Sequence, residues 1–170
     1  MQAIETVTVG LGGQASITFS SIPDTYTDLK VVFSIRSERA SSVSDTLVFR
    51  LNGDSSNQSI RALRGNGSSA ESFTNTLPNA GIVPSVPDTF GSYEAYIPNY
   101  TSGVAKAFSV EAVEAKNVTT AYQQISAGLY NSTATITSLS ILTTDADIAE
   151  HSTATLYGIL AGSDGTTTVT

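Results

Sequence analysis

The sequence predicts an all-β protein, an antiparallel two-sheet β-sandwich of jelly-roll type with roughly nine or ten strands. Apolar and polar residues alternate with a period of two along most of the chain, as in strands that bury one face. Turn-forming residues recur at the spacing found in sandwiches and barrels, and no segment repeats apolar residues at the helical spacing. Ser and Thr supply more than a quarter of the residues and charged residues only 14%, which suits half-buried pleated surfaces.

The first half of the chain contains four predicted strands and one tight turn. Residues 1–10 are predicted to be an N-terminal arm or a first strand. The next three strands are marked by alternate apolar residues: Ile17 and Phe19; Leu29, Val31, Phe33 and Ile35; Leu47, Phe49 and Leu51. Asn52-Gly53 then predicts a type I′ hairpin turn, because both residue types tolerate positive φ.

The second half begins with a weak strand around Ile60 and Leu63. From Gly65 to about Pro87 the sequence predicts a long loop, because its prolines do not fit a central strand. Five further strands follow, marked by Tyr93, Ala95 and Ile97; Phe108, Val110 and Ala112; Ile125, Ala127 and Leu129; Thr137, Leu139 and Ile141; Thr155, Tyr157 and Ile159. Gly158 predicts the close approach of another backbone, or a bulge.

The length of 170 residues fits one domain, predicted over residues 1–161, with a flexible C-terminal tail over 162–170. The net charge of -7 argues against a nucleic-acid partner and against an anionic membrane surface. Residues 1–70 are neutral, so the remaining hundred residues carry the whole negative charge. The chain has no cysteine and therefore no disulfide framework. Its start lacks the features of a secretory signal peptide, so we expect no signal peptide. We expect no cofactor.

Candidate catalytic and metal-binding residues are few, and the sequence predicts that the protein is not an enzyme. His151 is the only histidine; its neighbour Ser152 would point to the opposite side of a strand, so the two would not form part of a catalytic triad. Asp145, Asp147 and Glu150 could ligate Ca²⁺, but a solvated acidic turn is the simpler interpretation. We therefore assign neither a catalytic nor a metal-binding residue.

Carboxylates and tyrosines are the residues of this chain that could act on or bind carbohydrate. Glu94, Glu111 and Glu114 are the carboxylates most suited to a glycosidase pair, but Glu111 and Glu114 differ in parity and should lie on opposite faces of their strand. The sequence does not place Glu94 relative to either, and exposed solubilising charge is the simpler interpretation of all three. Tyr93 and Tyr96 also have opposite parity, so one should be buried and one exposed. An exposed tyrosine leaves open a binding site for a glycan.

Five arginines lie within a stretch of under thirty residues and are the candidate interface residues: Arg36, Arg39, Arg50, Arg61 and Arg64. Arginine suits bidentate contact with carboxylates at interfaces, so one hypothesis is that this group faces an acidic partner or a neighbouring subunit. The alternative is that they are scattered surface arginines.

Several segments share their order with one group of proteins. They are Phe19–Val31 with its Ile22-Pro23 turn, Arg36 in the next strand, Leu51–Asp54, Ile97–Tyr100 with Lys106 after it, Ser132–Leu139 and Thr155–Ile159. Together these segments, which span most of the chain, resemble virion proteins of tailed bacteriophages. The resemblance implies a β-sandwich virion component, either a capsid decoration protein or a module of a tail fibre or baseplate. It transfers no catalytic residue.

The resemblance and the composition together predict a phage virion structural protein, most simply a capsid decoration (cement) protein that bridges capsomers and stabilises the head shell. The expected partners are the major capsid protein and further copies of the chain, with a homotrimer favoured. The expected location is the virion, assembled in the host cytoplasm. The neutral first part would suit docking and the acidic second part the outer surface. The alternative is a tail-fibre or baseplate module that recognises a host glycan, with a polysaccharide depolymerase third.

Overall fold

A computed structural model describes residues 1–75, 78–116 and 121–161. These residues form twelve strands in two antiparallel sheets, a β-sandwich, so the predicted all-β fold class is confirmed. The strands are β1 (Gln2–Thr8), β2 (Ser16–Phe19), β3 (Asp28–Ile35), β4 (Ser44–Leu51), β5 (Gln58–Gly65), β6 (Ala70–Asn75), β7 (Asn79–Pro84), β8 (Gly91–Ile97), β9 (Lys106–Ala115), β10 (Ala121–Tyr130), β11 (Leu139–Thr143) and β12 (Thr153–Ile159). In the described ranges, no helix is long and apolar enough to cross a membrane.

The larger sheet has eight strands in the order β1-β12-β3-β8-β9-β10-β5-β6, and the smaller has four in the order β2-β11-β4-β7. The core lies between them. Along β9, buried and exposed residues alternate without interruption. Phe108 on this strand meets Phe49 of the smaller sheet, with ring centroids 5.8 Å apart. The alternation in the sequence therefore records which side chains reach the core.

Two strands lie in the stretch where the sequence predicts a loop, so that prediction was wrong. β6 and β7 occupy 70–75 and 79–84. The proline argument holds for part of it: Pro84 ends β7, and β7 is an edge strand of the smaller sheet. At the N-terminus, residues 2–8 form β1, which decides between the predicted arm and the predicted strand. The predicted tail over 162–170 lies outside the described residues.

The turn after β4 has the predicted backbone but not the predicted role. Asn52 and Gly53 have φ of 52° and 67°, and the amide of Asp54 donates to the carbonyl of Leu51 at 3.0 Å. However, β4 belongs to the smaller sheet and β5 to the larger, so the turn carries the chain between sheets instead of closing a hairpin. The side-chain amide of Gln58 bridges the sheets here, accepting from the amide of Leu51 and donating to the carbonyl of Phe49.

We expect Asn52→Ala to lower the free energy of unfolding by about 2–3 kcal/mol. The Asn52 side chain accepts from the amides of Thr137 and Ser138 and donates to the carbonyl of Thr135. Alanine loses these bonds and also tolerates positive φ poorly. Asn52→Gly is the matched control, because glycine adopts positive φ freely; it should cost about 1 kcal/mol less than alanine in urea unfolding. Equal losses for the two variants would contradict a role for the backbone conformation.

Gly158 makes room for an aromatic ring, so the predicted approach of another backbone, or a bulge, was wrong. A Cβ at this position would meet the ring of Tyr26. Pairing with β3 runs through Gly158 without a register shift, and the nearby irregularity lies on β1 between Ala3 and Glu5. A glycine in a strand therefore signals a close neighbour without identifying it.

The segments that carry the family resemblance meet in the folded chain. The Tyr100 hydroxyl donates to the Pro23 carbonyl, and the Lys106 ammonium donates to the Ser132 carbonyl at 3.2 Å. Burial lowers the pKa of Lys106, since its charge loses water. Both contacts are structural: the first joins the loop after β8 to the loop after β2, and the second ties the loop after β10 to the start of β9.

Candidate binding surfaces

His151 and Ser152 do not form a catalytic pair. The histidine side chain is 77% exposed, whereas Ser152 is buried and its Oγ accepts from the amide of Arg36 at 3.2 Å. The opposite orientation of these neighbours agrees with the sequence argument. The chemistry of Ser152 is therefore that of a buried structural hydroxyl.

The acidic segment 145–150 does not converge on a common point. Asp145 pairs with Arg39 at 2.8 Å, and Glu150 lies 3.8 Å from His151. Between them, Ile148 is buried and bridges to Gln14 and Ser37. Across the described ranges, no group of three or more His, Asp or Glu residues is arranged to hold a metal ion.

Glu111 and Glu114 separate as parity predicted, but the expectation that all three carboxylates are exposed is wrong for Glu114. Glu94 and Glu111 lie directly opposite each other on β8 and β9, on the outer face of the larger sheet. Glu94 also pairs with Lys30 at 2.7 Å. Glu114 points inward and its side chain is 1% exposed. Glu94 and Glu111 line neither of the two depressions beside Leu63 and Ile125.

The five candidate arginines do not share one surface. Arg36 and Arg39 follow β3, where Arg36 lies over the ring of Phe90 and Arg39 binds Asp145. Arg50 lies on the outer face of the smaller sheet, opposite Ser140. Arg61 and Arg64 differ in parity on β5 and point to opposite faces of the larger sheet. Their role in an interface stays a prediction, now for separate surfaces.

The outer face of the smaller sheet is rich in hydroxyl groups and carries one charge. Thr18, Ser140 and Arg50 form a row across β2, β11 and β4, and the Thr18 and Ser140 hydroxyls are 3.0 Å apart. The described strands place no acidic residue on this face, because Asp45 points inward and binds Ser37. Arg50 is half-buried and takes part in no ion pair within the described chain. Its charge is therefore not neutralised by a carboxylate of the described residues.

The outer face of the larger sheet combines charges with exposed apolar side chains. Leu63, Val113 and Ile125 are 66%, 47% and 52% exposed, and we call these three residues the apolar patch. Leu63 and Ile125 lie directly opposite each other on β5 and β10. Two adjoining depressions, of about 940 and 590 Å³, share these two residues and Ser72. Such a surface can bury apolar area against a partner.

Of the two tyrosines of β8, one is buried and the other is exposed, as predicted. Tyr93 donates its hydroxyl to the Ile82 carbonyl of the smaller sheet, and burial raises its pKa well above the usual value. Tyr96 is exposed, and its hydrogen bond to Asp28 raises its pKa. Tyr96 forms a cross-strand row with Lys30 and Tyr157 on the outer face.

The sequence argument missed a buried polar cluster at the C-terminal end of β9. Glu114 and Lys116 are both buried, with 3.5 Å between the carboxylate Oε1 and the ammonium Nζ. Lys116 also lies over the ring of Tyr122, 4.5 Å from its centroid. Burial raises the pKa of Glu114, and the Lys116 charge opposes this shift. The signal was available, because Glu114 has the same parity as the core residues Phe108 and Val110.

Comparison with known proteins gave no relative: no family model, curated protein or solved structure matches the chain. The fold class and the two surfaces therefore define the molecule as a β-sandwich with two contrasting outer faces.

Proposed function

We propose that this chain is a structural protein of a tailed-bacteriophage virion, a capsid decoration protein that binds the major capsid protein through the outer face of its smaller sheet. The phage assignment rests on the ordered segments that resemble virion proteins. The docking face rests on one observation: a row of hydroxyls with Arg50, which forms no ion pair within the described chain, lies on the opposite side of the sandwich from Glu94 and Glu111. An arginine of this kind suits a bidentate contact with a carboxylate on the shell.

The mechanism is adhesion. A rigid sandwich that contacts neighbouring capsomers buries surface on both, and the bound state of the shell is stabilised by mass action. Each sheet combines strands from both parts of the chain, since β3 from the neutral part lies in the larger sheet and β11 from the acidic part lies in the smaller. The proposal therefore assigns docking to one sheet face and not to the first part of the chain. The outer face of the larger sheet, which carries Glu94 and Glu111 together with Lys30 and Arg61, would be turned to solvent.

We expect Arg50→Glu to lower the affinity for capsids that lack the protein by at least about tenfold, because it places a carboxylate against a carboxylate. The measurement is saturation binding to bare capsids by co-sedimentation. Arg64→Glu is the matched control, a charge reversal of an arginine on the larger sheet, and should change the affinity less than about twofold. Equal effects of the two variants would contradict the assigned face, and no saturable binding by the wild type would contradict the proposal.

A tail-fibre or baseplate module that recognises a host glycan is the second candidate. One observation favours it: the exposed Tyr96 and the half-buried Tyr157 flank Lys30 in a row on the outer face, next to Glu94. Aromatic faces and carboxylates are groups that sugars contact. Binding of the isolated protein to host lipopolysaccharide, lost in Tyr96→Ala, would replace the capsid proposal with this one.

A further inference from the structure

Two opposite charges beside the apolar patch have no ion-pair partner in the described part of the chain. Arg61 on β5 and Glu111 on β9 are both exposed, and neither takes part in a salt bridge. Nearby charges are neutralised, since Lys30 pairs with Glu94 and Arg64 with Glu71. Among the outward-facing residues of β9, β10, β5 and β6, these two are the charged ones.

The strand register places these two charges at equal distances from the centre of the patch. Glu111, Ile125 and Leu63 form one row across β9, β10 and β5, and Arg61 lies two residues along β5 from Leu63. With strands about 4.8 Å apart and about 3.4 Å per residue, both charged positions lie about 7 Å from the midpoint between Leu63 and Ile125. Consider a two-fold axis that lies in the interface and bisects the angle between the lines from this midpoint to Arg61 and to Glu111. Such an axis places Arg61 of one copy over Glu111 of the other.

We propose that a second copy of this chain docks face to face on the apolar patch, across a two-fold axis through the midpoint between Leu63 and Ile125. Each Arg61 then meets the other copy's Glu111, so that one type of contact occurs twice, as an isologous interface requires. Leu63 and Ile125 of both copies pack around the axis. The charge complementarity favours a second copy over an unrelated partner, because Arg61 and Glu111 of one copy can each pair with the opposite charge on the other.

The area available sets the strength of this dimer. The outer surface of β6, β5, β10 and β9 measures about 19 by 23 Å, or about 440 Å² for each copy. This lies at the small end of specific interfaces, where transient complexes are found. We expect a dissociation constant of about 10–100 µM, increasing with salt because the two ion pairs are exposed. The dimer does not depend on the capsid proposal, since it uses the opposite sheet.

The experiment is sedimentation velocity of the full chain from about 5 to 500 µM at low salt, with variants that reverse each charge. Arg61→Glu and Glu111→Arg should each raise the dissociation constant at least about tenfold, because like charges then meet twice. The double variant R61E/E111R should return to within about threefold of the wild type. A mixture of the two single variants should form a heterodimer, because both of its contacts are then between opposite charges.

Leu63→Ser tests the apolar centre and should abolish dimerisation. Its matched control is Leu11→Ser, which changes a leucine that is 91% exposed in the loop between β1 and β2 and should have no effect. Circular dichroism and thermal midpoints equal to the wild type show that the variants are folded. A wild type that stays monomeric, a dimer or trimer insensitive to both reversals, or folded single variants that fail to associate with each other would each overturn the proposal. Loss of capsid binding would leave it untouched.

Discussion

Phe108→Ala should lower the free energy of unfolding by about 3–5 kcal/mol, the range for removing a buried aromatic ring and leaving its cavity. Phe108 is 4% exposed and contacts Phe49, which is fully buried on the smaller sheet. The ring therefore packs between the two sheets. Its removal leaves a cavity that little except solvent could fill. Urea unfolding monitored by circular dichroism measures the loss as a lower midpoint at an unchanged slope.

Gly128 supplies the control for this prediction. It lies directly opposite Phe108 on β10, and a Cβ there would meet the phenylalanine ring. Gly128→Ala should therefore cost about 1–3 kcal/mol in the wild type by overpacking. In the Phe108→Ala background the added methyl enters vacated space, so the double variant should be no less stable than Phe108→Ala alone. Additive losses in this double-mutant cycle would show that the two positions do not share the space.

The alternation of residues predicted nine of the twelve strands because it records burial directly, whereas β1 was left open between an arm and a strand. β9 shows this best, since the parity that separates Glu111 from Glu114 in the sequence separates exposed from buried in the fold. β6 was missed because it sits at the edge of the larger sheet, with Phe73 only partly buried and no inward apolar series to reveal it. β7 was missed because Pro84, Gly81 and the preceding Pro78 are residues typical of a loop.

The pairing of strands could not be predicted, because it depends on contacts between distant parts of the chain. The Asn52-Gly53 turn specified a local backbone, but packing sent β5 to the other sheet. The opposition of Glu94 to Glu111, and of Leu63 to Ile125, appears only once the register is known. Both candidate surfaces are therefore properties of the sheet order, whereas the residues that compose them were visible in the sequence.

Lys116→Met should lower the free energy of unfolding by about 3 kcal/mol at pH 7, because it leaves the Glu114 carboxylate buried without its counter-charge. The Glu114 side chain is 1% exposed, and its oxygens accept no hydrogen bond within the described chain. Lys116 is the ammonium beside it, so its removal raises the pKa of Glu114 further. The measurement is urea unfolding of the variant and the wild type at several pH values.

The pH dependence gives this prediction its sign. A carboxyl whose pKa is higher in the folded protein than in the unfolded chain binds its proton more tightly when folded. Its contribution to stability is therefore complete below the unfolded pKa of 4.5, and it is lost as the pH rises through the folded pKa. The deficit of Lys116→Met should therefore shrink as the pH falls towards about 4. Tyr93, whose pKa is raised by burial and by the Glu114 charge, stays protonated throughout this range. The variant Glu114→Gln/Lys116→Met should recover most of the loss at pH 7, and a deficit independent of pH would assign it instead to the contact between Lys116 and Tyr122.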